Sequence, residues 1–108
     1  MLKINRDITI AITICHYLRK MESDTISGTI LADLCSVSED YMLLICGKLA
    51  NAGLIISIKG RGGGYSIKDK INVLQIFNAL GYKFKIEGNE IVSKLKKELK
   101  HVLENFEI

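Results

Sequence analysis

A glycine-rich loop between two short apolar segments is the feature that most constrains how this chain can fold. Residues 58–67, IKGRGGGYSI, place four glycines in five positions. Isoleucines alternate with other residues before the loop, and Tyr65 alternates with Ile67 after it. A period of two is typical of a β-strand, and glycine tolerates the positive φ angles of a tight turn. The stretch therefore predicts a β-hairpin with an elongated tip.

The same loop does not match the phosphate-binding loops of enzymes. The segment GRGGGY lacks the Lys-Ser/Thr pair of a P-loop and the spacing of a dinucleotide-binding fingerprint. The sequence also suggests no pairing of a nucleophile with a base. We therefore expect a protein that is not an enzyme.

Three helix starts share one sequence device. An apolar residue precedes a capping side chain, which can accept a hydrogen bond from an unpaired backbone N–H, and a second apolar residue four positions beyond the cap closes a hydrophobic staple. The three sets are Ile26, Ser27 and Leu31; Val37, Ser38 and Met42; and Ile71, Asn72 and Ile76. Each set predicts a helix that begins directly after its cap.

The first two of these helices are separated by only a few residues, so they must turn sharply against each other as in a helix-turn-helix. In the second, helical spacing predicts that one face is buried, formed by Met42, Ile45, Cys46 and Leu49. This helix is expected to end before Gly53, which can adopt the left-handed conformation of a helix C-terminus.

The ends of the chain are predicted to be helical as well. Residues 6–21 fit a strand, because isoleucines alternate, or a helix with one narrow polar stripe; we favour the helix. Its wide apolar surface needs covering on two sides. After a connector, residues 90–106 form an amphipathic last helix. The fold class is thus mainly α with a small β-hairpin: a winged helix-turn-helix domain over residues 1–80, then a connector and C-terminal helix over residues 81–108.

Composition and charge place this domain in a broad class. A length of 108 residues with 48% hydrophobic residues is sufficient for one compact core. We find no apolar run long enough to cross a membrane and no signal peptide, so we expect a cytoplasmic protein.

The formal net charge is +3, and residues 41–70 carry five basic side chains and one acidic side chain. The positive excess around the glycines favours a polyanionic partner, although a solvated surface explains the charge alone equally well.

Residues 30–80 resemble the winged-helix transcription regulators of the IscR, NsrR and CymR type, a bacterial family. The resemblance rests on KLANAGLI, residues 48–55, followed by KGRGGGY, residues 59–65. Members typically have a Leu-x-x-x-Gly-Leu segment and then a basic residue, glycine, any residue and Gly-Gly-Gly-Tyr. The resemblance implies a homodimer that binds double-stranded DNA at a pseudo-palindromic site. The helix from Ser38 would lie in the major groove. The wing, which is the tip of the hairpin at residues 59–65, would lie at the adjacent minor groove, and the last helices of the two subunits would pair.

The candidate residues follow from this resemblance and from physical chemistry. Glycine N–H groups at the wing tip could meet phosphates, and Arg61 suits a narrow, electronegative minor groove. The candidate DNA-binding residues are Ser38, Tyr41, Leu43, Lys48, Lys59, Arg61, Gly62, Gly63 and Gly64. The candidate dimerisation residues form an apolar stripe on the last helix: Ile91, Leu95, Leu99, Val102 and Phe106.

The chain departs from the family pattern in its cysteines. Many members bind an iron-sulfur cluster through three cysteines between the fourth helix and the last. The corresponding stretch here, GYKFKIEGNE, contains none, which excludes cluster binding by that mode. We expect no cofactor, and we expect Cys15, Cys35 and Cys46 to be core residues. The sequence implies no particular small-molecule effector.

The second departure lies in the outward face of the helix from Ser38. Its outward residues are poorly suited to binding a polyanion, because they include two carboxylates and only one cation. They are Glu39, Asp40, Leu43, Leu44, Gly47, Lys48 and Asn51. Leu43 could touch a thymine methyl group, but no arginine is available to recognise guanine. We expect either weak, AT-leaning recognition dominated by the wing or, as the alternative, a protein-protein interaction module without DNA binding that uses Tyr41, Leu43 and Leu44.

Overall fold

Between residues 6 and 82, the described part of the chain forms four helices and one β-hairpin. The computed structural model describes residues 6–21, 25–68, 70–82, 101–102, 104–105 and 107–108. In chain order the elements are α1 (Arg6–Lys20), α2 (Gly28–Cys35), α3 (Glu39–Asn51), β1 (Ile56–Ile58), β2 (Gly64–Ser66) and α4 (Val73–Ala79). The predicted fold class is confirmed, including the helical alternative for α1.

All three predicted caps begin helices. The Ser27 and Ser38 side chains accept hydrogen bonds from the N–H groups three residues on, at 3.2 Å and 3.1 Å. Asn72 and Gln75 form a reciprocal capping box, in which each side chain accepts from the other residue's N–H at 2.9 Å and 2.8 Å. Each cap satisfies a donor that the helix itself leaves unpaired, typically stabilising the fold by about 1 kcal/mol.

The turn between α2 and α3 is only three residues long. Ser36 takes the left-handed conformation, with φ of 55°, and its N–H donates to Asp33 at 3.2 Å. The next N–H, on Val37, donates to Ala32 at 3.0 Å. These two bonds satisfy carbonyl groups at the end of α2 and reverse the chain at once, so α3 packs directly against α2.

α3 ends as the sequence predicts. Gly53 has φ of 78°, its N–H donates to Ala50 at 2.9 Å, and the Leu54 N–H donates to Leu49 at 3.0 Å. This pair of bonds is a Schellman motif, which stops the helix and directs the chain into the hairpin.

The core lies between α1 and the rest of the domain. α1 buries one face, formed by Ile8, Ala11, Ile14, Cys15 and Leu18, against α2, α3, α4 and β2. The predicted inner face of α3 is fully buried: Met42, Ile45, Cys46 and Leu49 all have 0% exposure. The second apolar side of α1, which includes Ile10 and Ile12, is half-buried against the same core.

The end of the chain returns to the start of α4. The Ile108 N–H donates to the Ile71 carbonyl at 3.1 Å, and Asn72 and Glu107 form an isolated antiparallel bridge. The described positions of the predicted last helix, 101–102 and 104–105, are helical. Within the described ranges, no helix combines the length and hydropathy needed to cross a bilayer.

Candidate nucleic-acid interface

α3 presents an outer face that is open to solvent. Leu43 and Leu44 are 56% and 55% exposed, and Glu39, Asp40 and Asn51 are exposed around them. Ser38, which caps the helix, is itself exposed. The outward positions that the sequence predicts are thus on the surface, and they combine two leucines with two carboxylates.

Gly47 lies in the same outer region of α3. A Cβ atom at Gly47 would meet no heavy atom within 4 Å. Glycine inside a helix costs about 1 kcal/mol relative to alanine, and packing among the described residues gives no reason for it. The result is a flat stretch of helix surface beside the leucines.

Tyr41 connects α3 to the start of α1. Its hydroxyl donates a short hydrogen bond to the Asp7 carboxylate, and the Arg6 guanidinium lies over its ring at 5.2 Å from the ring centroid. Burial, together with this bond, raises the pKa of Tyr41 to about 12. The phenol therefore remains protonated at neutral pH, and its single proton is committed to Asp7 rather than free for a base edge.

The wing tip is a β-turn that carries Arg61 outward. The Gly63 N–H donates to the Gly60 carbonyl at 3.0 Å, which puts Arg61 and Gly62 at the two central positions. Gly62 has φ of 71°, as the third residue of a type II turn requires. Lys59 and Arg61 are exposed. The Gly63 N–H is used inside the turn, so Gly63 would help a phosphate approach by its shape rather than as a donor.

Two glycines of the wing are needed because backbone segments pass close to them. A Cβ at Gly63 would collide with the Ile58 carbonyl, and a Cβ at Gly64 would collide with the Ile26 carbonyl. β1 and β2 pair in an antiparallel register with Ile58 opposite Gly64. Gly63 and Gly64 are therefore required by the packing of the hairpin, whether or not a ligand binds there.

The wing is attached to the segment before α2. Ile26 and Tyr65 exchange two backbone hydrogen bonds, Ile26 N to Tyr65 O at 2.9 Å and Tyr65 N to Ile26 O at 2.8 Å. The Thr25 hydroxyl donates to the Gly62 carbonyl at 3.0 Å. These bonds fix the hairpin beside the helix-turn-helix. The sequence does not reveal that Thr25 and Ile26 hold the wing, because a pairing between residues 37 or more positions apart leaves no local pattern.

Charge is divided between the two parts of this surface. Lys59, Arg61 and Lys68 are exposed on or beside the wing, and Lys48 is half-buried near the end of α3. The exposed carboxylates of Glu39 and Asp40 lie at the start of α3, where the helix dipole favours negative charge. A polyanion would therefore be attracted to the wing and to the C-terminal part of α3.

Most of the predicted dimerisation stripe lies outside the described residues. This applies to Ile91, Leu95, Leu99 and Phe106. Val102 is described, and it is 58% exposed.

The whole chain matches one family at the level of sequence. The family is Rrf2, described as an iron-dependent transcriptional regulator, and the match spans residues 4–107. The chain belongs to the Rrf2 family. It is therefore a DNA-binding winged-helix transcription regulator and not an enzyme. Comparison with curated proteins finds no significant match.

Solved structures of similar fold include other transcription regulators. CymR (YrzC), the global cysteine regulator of B. subtilis, has a TM-score of 0.87 and 27% identity over 99% of this chain and 93% of that chain. Staphylococcus aureus CymR has a TM-score of 0.78 and 26% identity over 95% of this chain and 92% of that chain. T. potens IscR, at 24% identity, shares the fold with a TM-score of 0.80 over 98% of this chain and 82% of that chain.

The described residues of this Rrf2 chain offer no set of ligands that fits an iron centre. All three cysteines lie in the helices of the winged domain: Cys15 and Cys46 are fully buried and Cys35 is half-buried. Burial raises the pKa of Cys15 and of Cys46 to about 12, so both are neutral thiols at neutral pH. In the part of the chain that the structure describes, no three His, Cys, Asp or Glu side chains converge.

The close approach of Gly64 to Ile26 gives a stability prediction. Gly64→Ala should lower the free energy of unfolding by about 2 kcal/mol more than Gly60→Ala, because overpacking against a backbone is costly. Both glycines have positive φ, 152° and 97°, but a Cβ at Gly60 meets nothing within 4 Å. Urea denaturation of the two variants measures the difference. Equal losses would show that the wing does not depend on this contact.

Proposed function

We propose that this regulator acts as a homodimer on pseudo-palindromic duplex DNA, with α3 in the major groove and the wing, residues 59–65, at the adjacent minor groove. The observation that carries the proposal is the attachment of the cationic wing to the segment that begins the helix-turn-helix, whose α3 keeps an exposed outer face. A helix fits the major groove, and an extended arginine suits the electronegative minor groove next to it. The protein would act in the cytoplasm, where bacterial promoters are found.

Each candidate residue then has a physical role. Arg61 enters the minor groove, and Lys59 and Lys48 contact phosphates. Gly62 is exposed at the wing tip, where a further phosphate would approach, and Ser38 caps α3, whose first turn stays clear of the phosphates. Tyr41 holds the start of α1 against α3 through Asp7, and Arg6 above its ring is a further phosphate contact.

Pairing of subunits is assigned to the last helix. Its sequence carries the apolar stripe of Ile91, Leu95, Leu99, Val102 and Phe106. Val102 supports the assignment, because a valine exposed over 58% of its surface on a helix gains stability when a partner covers it. A two-fold dimer would place its α3 helices about one helical turn of DNA apart, or a multiple of that distance.

Salt dependence tests the DNA contacts. The full chain should bind any AT-rich duplex at low salt, with an affinity that falls steeply as salt rises because phosphate contacts release counterions. Lys59→Ala should weaken binding and reduce the slope of log K against log salt by about 0.9, the value for one phosphate contact. Fluorescence anisotropy with a labelled duplex gives both quantities.

Lys70→Ala is the matched control, since it removes the same charge from an exposed position beside the chain end rather than from the wing. It should leave the slope unchanged. Lys59→Ala, Arg61→Ala and Lys70→Ala variants that all bind as the natural chain does would contradict the proposed role of the wing.

Sedimentation velocity tests the dimer. The full chain should sediment as a dimer, and Val102→Glu should shift it toward monomer because a buried unpaired carboxylate is costly. Glu104→Gln, at another exposed position of the same helical segment, should leave the dimer intact. A monomeric natural chain, or a Val102→Glu variant that dimerises as tightly as the natural chain, would refute the assignment.

A further inference from the structure

Two adjacent leucines occupy the outer face of the helix that is assigned to the major groove. Leu43 and Leu44 each keep more than half of their side chain exposed, while the opposite face of α3 is fully buried. Single exposed leucines are ordinary, whereas adjacent apolar side chains that form one patch can mark an interaction site. Between Asp40 and Asn51, the outward positions other than Lys48 offer no hydrogen-bonding side chain.

The floor of the major groove offers one apolar group, the C5-methyl group of thymine. All other distinguishing features there are hydrogen-bond donors or acceptors, which leucine cannot use. We propose that Leu43 and Leu44 recognise thymine methyl groups, so that the sites of this regulator are specified by thymine positions. The inference rests on the proposed function and names the base chemistry that α3 recognises.

Gly47 supports this assignment independently of the leucines. It lies one helical turn beyond them, and a Cβ there would have open space around it. Gly47 lowers helix stability, and no neighbour in the described structure requires a glycine there. Its missing side chain allows a bound molecule to come close to the backbone. Close approach is what two short aliphatic side chains need in order to reach the base edges.

The charges of α3 also favour a placement with the middle of the helix against the base edges. Glu39 and Asp40 would repel phosphates if the helix entered the groove by its first turn. Contact through the middle of the helix, at Leu43, Leu44 and Gly47, puts the uncharged surface against the bases and leaves Lys48 directed toward the backbone. A protein partner on the leucines is less favoured, because the wing tip carries exposed Lys59 and Arg61.

Uracil substitution tests the inference directly. Deoxyuridine pairs with adenine as thymidine does but lacks the C5-methyl group. Duplexes would first be selected from a random library with the full natural chain, and the best duplex would then be synthesised with thymine or with uracil. We expect uracil to weaken binding about fourfold for each contacted methyl, the effect of burying one such group.

The double variant Leu43→Ala, Leu44→Ala should bind the thymine and uracil duplexes equally. The variant should fold, since both side chains are largely exposed, and circular dichroism checks this. Arg61→Ala is the matched control: it should lose affinity for both duplexes and keep the ratio between them. Loss of the ratio in the leucine variant alone would support the inference.

Two negative outcomes are distinguishable. A natural chain that binds the selected duplex but binds its uracil form equally well would overturn thymine recognition and leave DNA binding intact. A chain that selects and binds no duplex at low salt would overturn the proposed function as well, and the leucines would then belong to a protein interface.

Discussion

Two backbone hydrogen bonds between Ile26 and Tyr65, at 2.9 Å and 2.8 Å, set the geometry on which the candidate interface depends. An isolated two-stranded hairpin is marginally stable in water. Here Tyr65 of the hairpin forms an isolated antiparallel bridge with Ile26, in the segment that also supplies the cap of α2. The same bonds explain Gly64, whose missing side chain lets the Ile26 carbonyl come close. The wing is therefore held in place before any ligand arrives, which reduces the entropy cost of binding.

The outer face of α3 imposes the second constraint, because its chemistry limits what the helix can recognise. It has carboxylates at its start, leucines in its middle and one lysine near its end. Such a face would gain little binding energy from guanine, which is best recognised by the guanidinium group of an arginine. It would gain more from contacts with methyl groups and from a close approach of the backbone. In the proposed complex, affinity would come mainly from the cations of the wing, and specificity from α3. This division would allow a chain with a net charge of only +3 to bind a polyanion.

Local chemistry made much of the fold predictable, whereas distant contacts did not. The caps at Ser27, Ser38 and Asn72 and the left-handed Gly53 follow from neighbouring residues, so a pattern of a few positions reveals them. Contacts between residues far apart in sequence are different, because no periodicity predicts them. They include the hydrogen bond from Tyr41 to Asp7 and the attachment of the wing. The glycine run likewise predicts a surface that phosphates can approach, and only the three-dimensional packing reveals its second role in the hairpin. Most of the proposed dimerisation stripe lies outside the described residues and remains a prediction.

Amide chemical-shift mapping by NMR can show whether the attached wing and the outer face of α3 form one DNA-binding surface. On titration of the full chain with duplex DNA, we expect the largest shifts to fall together in residues 38–51 and 59–65. The Ile26 and Tyr65 amides should remain protected from exchange in both the free and the bound protein. Largest shifts in α4 with an unperturbed wing, or unprotected Ile26 and Tyr65 amides in the free protein, would contradict it.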